Sequence, residues 1–230
     1  MNIIRLETVN STNDYAKINA GRIALPALIT ADCQTSGRGR QDRSFYSPKD
    51  SGLYMTLVTG NVYDSSSVTP LTAVCVRRII MRDFGIDLKI KWVNDLYLED
   101  RKVCGILCEK FYSNDKQYMC IGIGINLTTE YFPESAGNAG SINLNCDKNE
   151  LSEKIANEIL TELKNKDENR ILDEYRSNQY LINEIITYEI NGIKYNGTAR
   201  EIDSDYGLIV ENPDKGVVKL QSGEVSVRKE

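Results

Sequence analysis

An arginine- and glycine-rich segment, TSGRGRQDRSFYSP, runs from Thr35 to Pro48 and contains the side chains best suited to holding an anion. Glycine lets a backbone approach a bound group closely, and the guanidinium group offers planar donors that fit a carboxylate or a phosphate. The residues that provide these features are Gly37, Arg38, Gly39, Arg40 and Arg43. The segment therefore predicts an anion-binding loop, with a solvated surface loop as the alternative. It is not a dinucleotide-binding fingerprint, because Asp42 replaces the third glycine of that pattern and no helix follows.

A second polar group lies within KWVNDLYLEDRKVCGILCE, residues 91–109. Asn94 and Asp95 come directly after a predicted strand, where strand ends line a cleft, and Asp95 could hold a hard cation such as Mg²⁺. Lys102 is predicted to lie in a hairpin turn, close to Gly105. An Asx turn at the Asn-Asp pair and a solvated lysine in the turn remain the alternatives.

Two further stretches could contribute to the same site. In GIGINL, Gly122 and Gly124 lie within a predicted strand and indicate close approach of another backbone or of a ligand. Asn126 ends this stretch and offers both a donor and an acceptor. Near the start of the chain, STND begins at Ser11, which by itself is typical of a helix cap.

The composition excludes several kinds of catalysis. The 230 residues contain no histidine, so no Ser-His-Asp triad, Cys-His dyad or histidine-ligated zinc site can form. Any chemistry must rely on orientation, charge stabilisation, lysine, carboxylates or a hard metal. The 28 basic and 33 acidic residues argue against bulk binding to a polyanion, and hence against nucleic acid as a partner.

The cellular setting is also indicated by composition. No apolar stretch approaches the roughly 20 residues that span a membrane, and the N-terminus has no signal-peptide pattern. We therefore expect a cytoplasmic protein without membrane contacts. The six cysteines lack a C-x-x-C pair, which predicts reduced, mostly buried thiols; a disulfide framework or a metal site is the alternative.

The elements that must position these groups follow from the spacing of apolar residues. Apolar runs predict strands at residues 25–32, 52–60, 88–93 and 116–127, and a hairpin around EDRK, residues 99–102. Periods near 3.6 predict helices at residues 11–21, 69–85, 149–165 and 169–181. In the second of these, Pro70 is expected in the first turn. After about Asn183, short alternating segments separated by NG, SDYG, NPDKG and SG predict a small five-stranded barrel.

Taken together, STND, QTSGRGR, KWVNDLYLEDRKVCGILCE and GIGIN resemble, in this order and at these spacings, the catalytic domain of the bacterial biotin protein ligases, and SGEVSVR resembles the end of their C-terminal domain. The resemblance implies an α+β fold. Residues 1–183 would form a catalytic domain with a mixed sheet like that of class II aminoacyl-tRNA synthetases, and residues 184–230 would form an SH3-like barrel. It also implies the ligase-only form, without the winged-helix DNA-binding domain of some members. The chain departs from the family at Asp42, Phe45 and Val93, where glycine, tryptophan and proline are common.

The family's reaction joins ATP and biotin to biotinyl-5'-adenylate and pyrophosphate, and then transfers the biotin to a lysine of a biotin carboxyl carrier protein. By resemblance, Arg40, Lys102 and Asp95 would be catalytic, with Asp95 linked to Mg²⁺. The residues implied to bind biotin are Ser11, Thr12, Asn13, Gln34, Gly37, Arg38, Gly39, Arg40, Lys102 and Gly105. Those implied to bind ATP or the adenylate are Arg38, Arg40, Arg43, Phe45, Trp92, Asn94, Asn126 and Arg228.

Two other functions stay open at this point. A lipoate-type protein ligase performs the same chemistry on a different acid. The second alternative is a non-enzymatic module in which the arginine loop, residues 35–48, and the barrel bind nucleic acid. The net charge of −5 argues against it. The assembly is expected to be a monomer or a homodimer.

Overall fold

The computed structural model describes residues 1–41, 43–165, 167–190, 192–221 and 226–229. Its strands are β1 Asn2–Val9, β2 Ala27–Gln34, β3 Gly52–Thr59, β4 Lys89–Lys91, β5 Asp95–Leu98, β6 Arg101–Ser113, β7 Lys116–Asn126, β8 Ile185–Ile190, β9 Ile193–Ile202, β10 Leu208–Asn212, β11 Gly216–Leu220 and β12 Ser226–Lys229. Its helices are α1 Thr12–Asn19, α2 Ser65–Phe84, α3 Lys148–Asn165 and α4 Glu168–Ser177, with a short 3₁₀ turn at Glu134–Ala136. The fold is α+β, as the sequence predicts.

A seven-stranded mixed sheet forms the larger part of the fold, with strand order β1-β2-β3-β7-β6-β5-β4. β1 and β2 run parallel, and the other neighbouring strands run antiparallel. Alternate residues of each strand face opposite layers, as a period of two requires. Leu28 and Leu57 belong to the apolar cluster that includes α2 and α3, whereas Ile29 and Val58 pack with Ala16 of α1. The sheet therefore lies between α1 on one face and α2 and α3 on the other.

The α2 helix begins one turn earlier than the sequence predicts. Asp64 caps it by accepting a hydrogen bond from Ser66 N at 3.1 Å, and Gly85 ends it with a φ of 71°. Pro70 consequently lies inside the helix and not in its first turn. The polar serine run before Pro70 has no apolar periodicity, so this first turn could not be predicted from spacing.

Two features of the larger sheet also differ from the predictions. β1 has no fully buried residue, as is common for an edge strand, and the apolar pattern did not predict it. Lys102 lies in β6 opposite Tyr97, and the hairpin turn is formed by Glu99 and Asp100 alone. The prediction that Lys102 is a turn residue is therefore wrong. The difference matters, because a strand fixes the direction of a side chain.

The C-terminal residues form a five-stranded antiparallel sheet of order β11-β10-β9-β8-β12, in agreement with the predicted barrel. Hydrogen bonds join it to the rest of the chain, among them one from Asn183 N to Ala199 O at 2.7 Å. Trp92 Nε1 donates to Tyr206 O at 2.8 Å, and Arg176 Nε donates to Ile202 O at 2.7 Å. Apolar residues on both sides of position 183 belong to one buried cluster. The domain boundary between residues 183 and 184 stays a prediction.

The six cysteines are free thiols, which fits the prediction from their spacing. Cys75, Cys104 and Cys120 are buried. Burial raises the pKa of the Cys120 thiol to about 12. Among the helices of the described residues, none is both long and apolar enough to cross a membrane.

An ion-pair cluster centred on Arg78 of α2 joins the three helices of one layer. Arg78 Nη1 lies 2.6 Å from Glu162 Oε1 of α3, and Arg78 Nη2 pairs with Glu174 of α4. The Glu162 side chain is only 5% exposed, and its second partner is Arg170. Fully breaking a buried pair typically costs about 3–5 kcal/mol. Because Arg170 remains, we expect Arg78→Met to lower the free energy of unfolding by about 2–3 kcal/mol, measured by urea denaturation.

The matched control is Arg82→Met on the same helix. The Arg82 side chain is 58% exposed and pairs with Asp83. Exposed pairs contribute about 0–1 kcal/mol, so this variant should unfold at nearly the wild-type urea concentration. Equal losses in the two variants would show that the Arg78 cluster has no particular role in stability.

Candidate active site

A cleft of about 1040 Å³ lies beside α1 on the larger sheet, at the upper end of the usual range for small-molecule sites. Its wall is formed by the start of α1, the end of β2, the arginine loop, strands β3 to β7 and residues 135–138. Tyr180 and Val227 complete it. Since Val227 belongs to β12, both sheets contribute to the same cleft.

Short polar side chains line the part of the cleft beside α1. Ser11 is the N-cap of α1 and accepts a hydrogen bond from Asp14 N at 3.4 Å, so helix capping and a place in the cleft are compatible. Gln34 Oε1 accepts from Thr12 N at 2.8 Å, and Gln34 Nε2 donates to Ser47 Oγ at 2.9 Å. These two contacts fix the direction of the Gln34 amide.

Two backbone hydrogen bonds hold residues 37–39 against residues 43–45. Phe45 N donates to Gly37 O at 2.8 Å, and Gly39 N donates to Arg43 O at 2.7 Å. A Cβ at Gly37 would lie 2.4 Å from Phe45 O, closer than any real Cβ contact. Glycine is therefore required at position 37 by the loop's own backbone.

Arg40 and Arg38 of the arginine loop occupy different surroundings. Arg40 lines the cleft, is half-buried, and donates from Nη1 to Asn94 Oδ1 at 3.2 Å. Burial lowers the pKa of Arg40 from its ordinary value, and the charge of Asp95 opposes that effect. Arginine nonetheless keeps its charge in proteins. Arg38 is exposed and its Nε lies 2.9 Å from Asp14 Oδ2. Arg40 is thus the better placed of the two to hold an anion inside the cleft.

Glycines on β6 and β7 leave room for the side chains of Phe45 and Asn13, which pack directly against these strands. Gly105 of β6 pairs with Gly124 of β7. A Cβ at Gly124 would lie 2.5 Å from Phe45 Cε1, and one at Gly105 would lie 3.2 Å from Phe45 Cε2. A Cβ at Gly122 would lie 2.3 Å from Asn13 Oδ1. The close approach predicted for GIGINL is therefore made by side chains of the arginine loop and α1.

Lys102 and Asp95 form an ion pair in the wall of the cleft. Lys102 Nζ lies 2.7 Å from Asp95 Oδ1, and the side chains are 32% and 19% exposed. Lys102 is therefore not a solvated turn lysine. Among the described residues, no group of three or more carboxylate or thiol side chains could hold a metal ion. Asp95 fits only the mode in which Mg²⁺ is held mainly by substrate phosphates and one or two carboxylates.

Most of the predicted site residues meet in this cleft. Those that line it are Ser11, Thr12, Asn13, Gln34, Arg38, Gly39, Arg40, Arg43, Phe45, Trp92, Asn94, Asp95, Lys102 and Gly105. Gly37 lies behind Phe45 and Ser47, and Asn126 is buried and donates from Nδ2 to Gly140 O at 2.9 Å. Neither residue forms part of the cleft wall. The side chain of Arg228, like the departure at Asp42, lies outside the described residues.

Residues 135–138 line the cleft but were not predicted to do so. They are held by backbone contacts with β6: Lys102 N donates to Asn138 O at 2.9 Å, and Gly140 N donates to Lys102 O at 2.8 Å. Asn126 supports the same segment through Gly140. These contacts join residues far apart in sequence. The local composition, ESAGNAG, is typical of any loop and could not reveal them.

Residues 6–126, more than half of the chain, match the model of the biotin/lipoate A/B protein ligase family. The chain belongs to this family. The bifunctional ligase/repressor BirA of Escherichia coli K12 is 30% identical over 236 residues, which cover 97% of this chain and 73% of that protein. Biotin–protein ligase 2 of Arabidopsis thaliana is 33% identical over 132 residues, which cover 53% of this chain and 39% of that protein.

A solved structure of this ligase family confirms the predicted fold class. The biotin protein ligase of Aquifex aeolicus, in complex with biotin and ATP, superposes with a TM-score of 0.86 and 26% sequence identity. The match covers 100% of this chain and 99% of the other, so it includes both the mixed sheet and the C-terminal sheet.

Proposed function

We propose that this member of the family is a biotin protein ligase, which converts biotin and ATP to biotinyl-5'-AMP and transfers the biotin to a lysine of a biotin carboxyl carrier protein. Ligases of this kind align with almost the whole chain. The observation that carries the proposal is the presence of two different walls in one cleft. Ser11, Thr12 and Gln34 form a neutral polar wall, and Arg40 and Lys102 form a cationic one.

The neutral wall favours biotin over the alternative acid, lipoate. Biotin carries a cyclic urea with N–H donors and a carbonyl acceptor, whereas the dithiolane ring of lipoate has neither. Thr12 is buried, and a buried polar group left without a partner costs about 1–3 kcal/mol. Sites built to hydrogen-bond a substrate discriminate strongly against analogues that lack the matching groups.

In the first step, a carboxylate oxygen of biotin attacks the α-phosphorus of ATP, and the bond to pyrophosphate breaks. No proton is transferred, which suits a chain without histidine. Both reactants are anions, so their repulsion opposes the step. Arg40 and Lys102 would offset this repulsion and orient the two groups, and Asp95, 2.7 Å from the Lys102 ammonium, would hold that side chain in place.

In the second step, the uncharged amine of the carrier lysine attacks the acyl carbon of the adenylate. The carbon–oxygen bond to AMP breaks, and the amine nitrogen loses a proton to solvent as the amide forms. The same two cations would stabilise the phosphate charge that develops on AMP. Until the carrier arrives, Arg40 would retain the adenylate through its carboxyl and phosphate oxygens.

Mg²⁺ would supply charge neutralisation on the phosphates of bound ATP. Asp95 is the carboxylate we assign to it, in the mode that uses few protein ligands. Residues 1–183 would form the catalytic domain, and residues 184–230 would close one side of the cleft through Val227.

The proposal is tested by incubating the purified protein with biotin and Mg·ATP and analysing the bound product by mass spectrometry. A tightly held species with the mass of biotinyl-AMP should appear, together with released pyrophosphate. An ATP analogue that cannot release pyrophosphate should give none. An adenylate formed from lipoate and not from biotin would contradict the proposal and favour the lipoate-type ligase.

The arginine loop is expected to become ordered when both substrates bind. Its glycines and like charges disfavour one conformation until an anion neutralises them. Hydrogen exchange of residues 34–48 should therefore slow in the presence of saturating biotin and Mg·ATP, as measured by mass spectrometry. The helix α3 lies away from the cleft and serves as the internal control. Unchanged exchange in the loop would show that it does not act as a lid.

A further inference from the structure

Glu109, on β6, lies behind the polar wall of the cleft and forms no part of its surface. Asn13 Nδ2 donates to Glu109 Oε2 at 2.9 Å, and Lys17 Nζ lies 2.7 Å from Glu109 Oε1. Asn13 is buried, and Gly122 leaves just enough room for its amide, since a Cβ there would lie 2.3 Å from Asn13 Oδ1. Glu109 therefore contacts a side chain that has little freedom to move.

An ionised carboxylate accepts hydrogen bonds and cannot donate them. The amino side of the Asn13 amide must consequently face Glu109, and its oxygen must face Thr56, whose Oγ1 lies 2.6 Å away. An amide oxygen cannot donate either. The hydroxyl hydrogen of Thr56, a residue with no solvent exposure, is thus held by Asn13.

The same logic extends to Thr12. Its Oγ1 lies 2.8 Å from Thr56 Oγ1, whose hydrogen is already engaged, and 3.1 Å from Gln34 Oε1, an amide oxygen. Both neighbours can only accept from Thr12. In either arrangement the Thr12 hydrogen points into the protein, and Thr12 Oγ1 offers a lone pair to the cleft.

We propose that Glu109 is a positioning residue for biotin: its charge sets the direction of the hydrogen bonds through Asn13 and Thr56, so that Thr12 accepts from an N–H of the cyclic urea. The inference rests on the proposed function. An acidic residue outside the cleft thereby determines whether Thr12 offers the ligand a hydrogen-bond acceptor or a donor. A buried network of this kind depends on every member. If the Asn13 amide were reversed, its oxygen would face a carboxylate oxygen of Glu109 with no hydrogen between them.

The test is Glu109→Gln, which keeps the size of the side chain but can donate. The side-chain amide of Asn13 can then flip, and Thr12 Oγ1 is no longer held as an acceptor in the cleft wall. Loss of a hydrogen bond that involves a charged group typically weakens a contact roughly 10- to 100-fold. We expect the KM for biotin to rise at least about 10-fold, with kcat and the KM for ATP changed less than about twofold.

Three comparisons make this test specific. Glu153→Gln, at a surface pair with Arg5, should leave both KM values unchanged. Glu109→Asp, which can still only accept, should retain more biotin affinity than Glu109→Gln. Desthiobiotin keeps the cyclic urea and lacks the sulfur ring, so its KM should rise by the same factor as that of biotin.

A normal KM for biotin in Glu109→Gln would overturn the inference, as would equal changes in the KM values for biotin and ATP. If Glu109→Gln does not fold, the inference is decided by Glu109→Asp, whose biotin KM must rise while its ATP KM does not. Failure of the wild-type protein to form any biotinyl-AMP would instead contradict the proposed function. The two failures are therefore distinguishable.

Discussion

Lys102→Ala is expected to slow formation of biotinyl-AMP by about 10²–10³-fold, the usual effect of removing one preorganised electrostatic contact from a reacting centre. The structure places the Lys102 ammonium in the cleft wall and ion-pairs it with Asp95, so the charge is held where two anionic substrates must meet. The measurement is pyrophosphate release in single turnover, with biotin and Mg·ATP saturating.

The same substitution should change stability little. The pair is partly exposed, at 32% and 19% for its two side chains, so its loss should cost about 1 kcal/mol and lower the melting temperature by roughly 2–4 °C. Lys89→Ala, at a surface pair with Asp87, is the matched control and should leave the rate unchanged. Wild-type turnover in Lys102→Ala, with a normal melting temperature, would show that this lysine has only a surface role.

The regular elements could be predicted because their signals are local. The apolar runs at residues 52–60 and 116–127 correspond to β3 and β7, two neighbouring interior strands that are buried along most of their length. The turn residues after position 183 likewise predicted five short strands. β1 lies at the edge of the sheet and has no fully buried residue, so its apolar pattern is weak. This strand was not predicted.

Most residues that line the cleft could be named from the sequence, whereas the contacts between them could not. Residue type and spacing pointed to Arg40 and Lys102, and the family resemblance added Gln34, yet neither could show that Lys102 pairs with Asp95. Pairings of this kind depend on strand register, which is set by long-range contacts. Glu109 illustrates the same limit, because it lies 96 residues from Asn13 in sequence and an ordinary-looking glutamate at the end of GILCE carries no local signal.

Removing the guanidinium of Arg40 should affect retention of the intermediate more than its synthesis. Biotinyl-AMP is a reactive mixed anhydride, and its biotin reaches the carrier lysine selectively only while the adenylate stays bound. Arg40 is half-buried in the cleft wall, and a guanidinium can contact carboxyl and phosphate oxygens together. Loss of such a contact acts mainly on the dissociation rate of a ligand. The remaining cation, Lys102, would still support adenylate formation.

Arg40→Gly is therefore expected to consume ATP with biotin, release biotinyl-AMP and label lysines on unrelated proteins. The test incubates the variant with biotin, Mg·ATP, the carrier protein and serum albumin, and compares the biotin bound to each protein. The ratio of albumin to carrier labelling should rise at least about 10-fold above that of the wild type, since each 1.4 kcal/mol lost from binding speeds release tenfold. Arg40→Lys retains the charge without the planar pair of donors, and it should give an intermediate ratio. Labelling confined to the carrier at the wild-type ratio would show that Arg40 does not retain the intermediate, and that its contact with Asn94 serves the conformation of the loop instead.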